Sequence, residues 1–135
     1  MTMTLDARAA EPAADWDLPS FTVVAFAPRR TKCCVVIPVI NEGARLLRQL
    51  AGMAALHLDV DVIIADGGSS DGSTEHDRLR QFNVRTLLTK TGPGKLSAQL
   101  RMGFAYALGE GYAGIITIDG NGKDGVAAIP AFAAA

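Results

Sequence analysis

Three times along the chain a short apolar run, rich in β-branched residues, stops in a polar loop. The stretches are CCVVIPVINEG at 33–43, VIIADGGSSDGS at 62–73 and IITIDGNGKDG at 115–125. The runs are too continuously apolar to alternate, which suits strands covered on both faces. Helix-period segments separate them. RLLRQLAGMAALHL at 45–58 carries Leu46, Leu47, Leu50, Met53, Ala54 and Leu58 in one broad stripe. Further helices are expected at 72–81, capped by Ser70 or Asp71, and at 96–108, with Leu100, Phe104, Ala107 and Leu108 on or near one face. Strands are expected at 61–65, 84–88 and 114–118, and a last helix begins near Gly125.

Strand and helix alternating at this spacing predict an α/β fold: an open, mostly parallel sheet with helices on both faces. SFTVVAFAP at 20–28 reads as an edge strand or an added N-terminal strand. Residues 1–18 are small, charged or interrupted by proline, and disorder is expected there. Residues 19–135 then form a single domain. Open parallel sheets bind ligands beyond the carboxyl ends of their strands, and all three polar stretches fall at such ends.

The totals narrow the function. With 13 basic and 14 acidic side chains the net charge is -1, which argues against a protein built to hold a nucleic-acid backbone. The basic turn PRRTK reads as solvated. Cys33 and Cys34 are adjacent and cannot staple distant segments, so they read as small buried hydrophobes. The start of the chain lacks the apolar segment of a secretory signal, and no run approaches eighteen apolar residues. The cytoplasm is the expected location, with peripheral contact to a membrane left open.

Each loop admits more than one chemistry. Asp66 serves either a local turn or helix cap, or a ligand N–H or hydroxyl, with Gly67 and Gly68 letting the backbone come close. Asp119 either bridges a divalent ion to phosphate, hydrogen-bonds a sugar, or belongs to an Asn/Gly turn. Asn121 offers a neutral oxygen, and Asp124 a second carboxylate. In TKTGPGKLSAQ, Lys95 and Ser97 stand near a helix start that favours an anion, and Lys90, Lys95 and Arg101 have the charge to offset a diphosphate. The loop directly after the first strand of the alternating pattern carries no GXGXXG, and GXXXXGK[ST] is absent from the chain. Ser69, Ser70 and Ser73 lie in a turn where no nucleophilic arrangement stands out, and His57 and His76, both on expected helices, do not suggest zinc.

IPVINE, IIADGGSSDGS, GPGKLSAQLRMGFAYAL and IITIDGN follow one another in an order and spacing that resembles the family 2 glycosyltransferases, in particular dolichyl-phosphate mannose synthase-like members. The resemblance spans about 33–132. It implies the nucleotide-binding half of a GT-A fold, a nucleotide-sugar donor, Mg²⁺ or Mn²⁺ as cofactor, and an unidentified acceptor such as a polyprenyl phosphate. By the same resemblance Pro38 and Glu42 match strand-end nucleotide contacts, and Asp66 matches the carboxylate that recognises the base. Asp71 matches the later Asp of that loop. Asp119 matches the first carboxylate of an Asp-X-Asp metal and diphosphate motif, where Asn121 replaces the second. Lys95 and Arg101 belong to the family's variable loop and helix. Gly67 stands where the family usually has another Asp. The catalytic base is expected in a carboxyl-terminal region that this chain lacks, so the domain is expected to be incomplete, with a longer chain, a partner or a second copy supplying the rest. A non-catalytic nucleotide-sugar-binding module and a structural or assembly domain remain alternatives.

Overall fold

The computed structural model describes residues 3–6, 18–56 and 59–118. Among these residues six strands form one sheet. They are β1 (Met3–Asp6), β2 (Phe21–Ala25), β3 (Cys33–Val39), β4 (Asp61–Asp66), β5 (Val84–Lys90) and β6 (Gly114–Thr117). Three helices connect them: α1 (Ala44–Ala55), α2 (His76–Gln81) and α3 (Leu96–Gly109). The strand order is β1-β2-β5-β4-β3-β6. The four strands β5, β4, β3 and β6 are mutually parallel, while at one side β2 pairs antiparallel with β5 and β1 antiparallel with β2. The expected open, mostly parallel α/β sheet is therefore the observed one.

Alternation along the strands divides the core between the two faces. Val35, Ile37 and Val39 of β3 and Val62 and Ile64 of β4 pack with Leu46, Leu50 and Met53 of α1 and Leu79 of α2. The intervening Cys34, Val36, Ile63 and Ala65 pack with Met102 and Ala107 of α3. The chain steps from β3 to β4 to β5 and then crosses back to β6, and α3 on the opposite face carries that return. The switch in strand order falls between β3 and β6, where open sheets leave a crevice.

Several expected boundaries move, each for a local reason. Met3–Asp6, within the stretch expected to be disordered, pairs with β2, which is thus an inner strand beside β5. The second helix begins at His76, not near residue 72: Gly72 has φ +81 and Ser73 folds back on Asp71, so the chain cannot yet be helical. Glu75 occupies the N-cap position and no side chain caps the helix, so neither Ser70 nor Asp71 does so.

The expected face of α3 is met in part: Ala107 is buried, while Leu100 and Phe104 are only half-buried. Ala98, Gln99, Met102, Gly103, Ala105 and Ala107 are buried, whereas Leu108 is 50% exposed. The small residues win because they let the helix approach the sheet. A Cβ on Gly103 would come within 2.6 Å of Val36 Cγ1. A helix apolar all round gives no periodic signal from which to choose between faces. The last expected helix, near Gly125, lies outside the described residues.

The amino-terminal edge of the sheet is held by a buried network. Asp61 accepts the Arg30 and Thr31 N–H groups at 2.9 and 3.3 Å and the Tyr112 hydroxyl at 2.6 Å. Burial, with the Asp61 hydrogen bond next, pushes the Tyr112 hydroxyl upward and keeps it a donor. The PRRTK turn is fixed by these bonds while its Arg29, Arg30 and Lys32 stay exposed. It sits at the opposite end of the strands from the polar loops.

Candidate functional site

The register aligns three strand ends. Val39 of β3 lies opposite Asp66 of β4, and Asp66 lies opposite Thr89 of β5. The loops that leave these strands meet at one edge of the sheet. Pro38, Val39, Ile40 and Glu42 from the first, Gly67 from the second, and Lys90, Gly94, Lys95, Leu96 and Gln99 from the third surround a cavity of about 460 Å³.

The first two loops are tied into one unit. Asn41, at φ +48, donates its N–H to Ser69 Oγ at 2.9 Å and accepts the Ser70 N–H on Oδ1 at 2.8 Å. The Gly67 N–H continues the sheet by donating to Val39 O at 2.8 Å. Asp66 is only 2% exposed. Its Oδ1 accepts the Gly68 N–H at 3.2 Å, the Ser69 N–H at 3.0 Å and the Ser69 hydroxyl at 2.6 Å. The carboxylate is thus taken up by its own loop, the turn-forming use that its position after a strand allows. It is not a wall of the cavity.

Asp71 sits farther along the same loop and is exposed. It accepts the Ser73 N–H and hydroxyl at 3.0 and 2.6 Å. The Ser73 hydroxyl, then the Ser73 N–H, hold its carboxyl below the ordinary range, and the Gly43 backbone of the first loop acts in the same direction. Asp71 therefore orders the loops and does not line the cavity.

The cavity's own charges are Glu42, Lys90 and Lys95. Glu42, 18% exposed at its side chain, pairs with Arg45 one helical turn on at 3.5 Å. Lys90 bends over the end of β5 and donates to Gly92 O at 2.8 Å. Lys95 immediately precedes α3, where free backbone N–H groups favour an anion. Two ammonium groups against one carboxylate leave the walls with an excess of positive charge. Arg101 does not line the cavity; its Nη1 donates to Ser97 Oγ at 2.7 Å on α3.

Gln99 is the residue that sequence reasoning missed. It is 5% exposed, and its Nε2 donates to Val39 O at 2.8 Å and to Ala65 O at 3.0 Å. One side chain from α3 thereby stitches together the ends of β3 and β4. The signal was present as a lone amide in the first turns of a mostly apolar helix, LSAQL. Ile40 and Leu96, 53% and 52% exposed, form an apolar rim that a motif search also passes over.

Asp119 and Asn121, expected to hold a metal, lie outside the described residues, as does Asp124. The described chain leads to them from Ile118, whose N–H donates to Val36 O at 3.3 Å. Among the described residues no group of three or more His, Cys, Asp or Glu side chains is placed to hold a metal ion. None of their helices is long and apolar enough to cross a membrane.

An open α/β sheet with a charged cavity beyond the ends of β3, β4 and β5 has its cleft at the carboxyl edge, where sheets of this class bind ligands. The profile that matches is that of glycosyl transferase family 2, over residues 34–122, well over half of the chain. The chain belongs to that family. No curated protein and no solved structure matches it. Membership supports glycosyltransferase activity in general, with a nucleotide-sugar donor and an acceptor as substrates, and enzymes of the family commonly use divalent cations.

Proposed function

We propose that the cavity between the β3, β4 and β5 ends holds the diphosphate and nucleoside of a nucleotide-sugar, and that the sugar passes from it to a hydroxyl or phosphate oxygen of the acceptor. The observation that carries this reading is the pair of lysines, Lys90 and Lys95, on the walls of a cavity at the carboxyl edge of the sheet. During transfer the bond between the anomeric carbon and the diphosphate oxygen breaks and a bond to the acceptor oxygen forms. Negative charge grows on the leaving diphosphate. Fixed ammonium groups stabilise that charge more in the transition state than in the ground state, which is what accelerates the step. A hydroxyl acceptor loses its proton to a base outside the described residues.

In this reading Pro38 and Glu42 bound the nucleoside end. Asp66 and Asp71 hold the loops that form the pocket, and Arg101 adds positive charge near the start of α3. Asp119 with Asn121 would hold a Mg²⁺ or Mn²⁺ ion, which when bound offsets diphosphate charge. The resemblance of the motifs to dolichyl-phosphate mannose synthase-like members supports a lipid-linked acceptor, a polyprenyl phosphate, and a cytoplasmic enzyme working at a membrane surface. A second copy or a further chain segment would complete the acceptor side. Asn121 in place of a carboxylate favours one other reading, a module that binds the donor without turnover.

Calorimetric titration with UDP, GDP and their sugar conjugates, with and without Mg²⁺ or Mn²⁺, tests the donor site. Binding of one nucleotide is expected, and a folded protein that binds none of them overturns the reading. Asp119→Ala is expected to abolish sugar transfer while the protein stays folded; unchanged turnover would remove Asp119 from the site. Donor binding without transfer to any acceptor would favour the binding module.

A further inference from the structure

The geometry points to Gln99 as a ligand-reading residue: its side-chain oxygen is a fixed, neutral hydrogen-bond acceptor that selects a bound nucleotide by an N–H or hydroxyl donor. This inference rests on the reading of the cavity as a nucleotide site. It goes beyond that reading by naming what sets specificity.

Three observations lead there. Both hydrogens of the Gln99 amide are occupied by Val39 O and Ala65 O. The amide therefore has one orientation, because turning it over would set its oxygen against two carbonyl oxygens. Its Oε1 receives no hydrogen bond from any described residue, although Gln99 is 95% buried and lines the cavity. Finally, the amide stands beside a missing side chain. A Cβ built on Gly67 would lie 3.0 Å from Gln99 Cδ, 3.1 Å from Nε2 and 3.2 Å from Oε1. Gly67 and Gln99 thus form a matched pair, in which the absent side chain makes room for the amide.

An acceptor locked in this way cannot change role. Because Nε2 is already engaged, Gln99 offers no N–H to a ligand atom that itself needs a donor. Uracil N3–H and guanine N1–H fit such an acceptor, and so does a ribose hydroxyl. The corresponding ring nitrogens of cytosine and adenine carry lone pairs and leave Oε1 unpaired. A site built to accept a hydrogen bond rejects the analogue that lacks the donor more strongly than an apolar wall rejects a change of size.

The test is calorimetric binding of UDP, CDP, GDP, ADP and 2′-deoxy-UDP to the full chain and to two variants, each checked for folding by circular dichroism. Gln99→Met keeps the volume and removes the acceptor. Gly67→Ala keeps the amide but must push it by a few tenths of an ångström. The unaltered protein is expected to prefer UDP over CDP and GDP over ADP if Oε1 reads the base, or UDP over 2′-deoxy-UDP if it reads the ribose. In each variant the preferred ratio should fall by about 2- to 10-fold, the size of one net hydrogen bond. Gly67→Ala should change that ratio little in a Gln99→Met background.

A residue that only stitches strands would weaken all five ligands alike. That result, or unchanged ratios in both variants, overturns the inference while leaving the nucleotide site standing. Should Gln99→Met fail to fold, the ratios in Gly67→Ala decide alone. An unaltered protein that binds none of the five overturns the nucleotide reading itself, and this inference with it.

Discussion

Asp66→Asn separates two uses of a strand-end carboxylate that its sequence position leaves open. The substitution keeps the outline of the side chain and removes the charge. Oδ1 accepts from Gly68 N–H, Ser69 N–H and Ser69 Oγ–H, and Oδ2 lies 3.2 Å from Ser69 N. An asparagine can keep its oxygen at the Oδ1 position, so all three bonds survive as neutral ones, but its NH₂ then faces Ser69 N–H. A hydrogen bond to a charged group contributes about 1 kcal/mol more than a neutral one. Three such differences at one buried atom are not additive, so we expect a loss of about 2–3 kcal/mol. For a chain of this length that corresponds to a fall in Tm of roughly 6–15 °C. Urea unfolding followed by circular dichroism gives the stability, and calorimetric titration with UDP and GDP gives the affinity. If the carboxylate holds the loop, stability falls and binding falls with it. A variant as stable as the parent that no longer binds nucleotide would refute the loop-holding role and make Asp66 a direct ligand contact.

Three further outcomes follow from packing and burial. Gly103→Ala should lower stability by about 1–3 kcal/mol, because its methyl group meets Val36 at 2.6 Å and α3 must lift from the sheet; unfolding in urea measures it, and an unchanged midpoint would contradict that contact. Gln49 on α1 is 5% exposed and neither amide atom has a hydrogen-bond partner among the described residues, so Gln49→Met should raise stability by about 1–2 kcal/mol, read as a higher Tm. Burial pushes the Cys34 thiol up to about 12 from 9.0, so in a Cys33→Ser protein Cys34 should resist alkylation at pH 8 until denaturant is added, whereas labelling of the folded protein at the rate of a free thiol would show the strand to be open. The sign of the linked stability is definite. Cys34 favours the folded state fully below pH 9, and that contribution is lost as the pH rises from 9 towards 12, because only the unfolded chain releases its proton in that window.

Much of the fold was legible because strand and helix announce themselves differently. CCVVIPV and DVIIAD carry no alternation, which for runs this short means burial on both faces and hence a parallel sheet with helices above and below. The start of α1 and the extent of β4 follow within a residue. What failed was everything decided by contact between segments. Nothing local in LSAQLRMGFAYALG selects the face with Ala98, Met102, Gly103 and Ala105 over the one with Leu100, Phe104 and Leu108; the choice depends on Val36, far away in sequence, leaving room for a bare Cα and no more. The delayed start of α2 has the same character. Ser73 is a tolerable helix residue, but its hydroxyl and N–H close on Asp71, and Gly72 adopts a positive φ to permit it.

The site shows where a motif search stops. Asp66, Asp71 and Glu42 were found as acidic residues at strand ends, yet only Glu42 lines the cavity. The other two have their hydrogen-bonding capacity taken up by serines two and three residues away, which turns a candidate ligand contact into a hinge pin for the loop. The parts that reach the cavity directly are less conspicuous. Lys90 is the last residue of a strand, Gly67 matters through the side chain it lacks, and Gln99 comes from a helix on the far face of the sheet. Gly67 and Gln99 lie 32 positions apart, and either read alone is unremarkable. Together they follow from a packing rule: a glycine at a crowded strand end leaves a space, and in a close-packed protein a neighbour fills it. A glycine at a crowded strand end therefore directs the search towards whatever occupies the volume that a side chain would fill. Here the occupant is an amide whose donors are both engaged and whose acceptor is not, so a pocket wall without a carboxylate at position 67 keeps a capacity to accept a hydrogen bond.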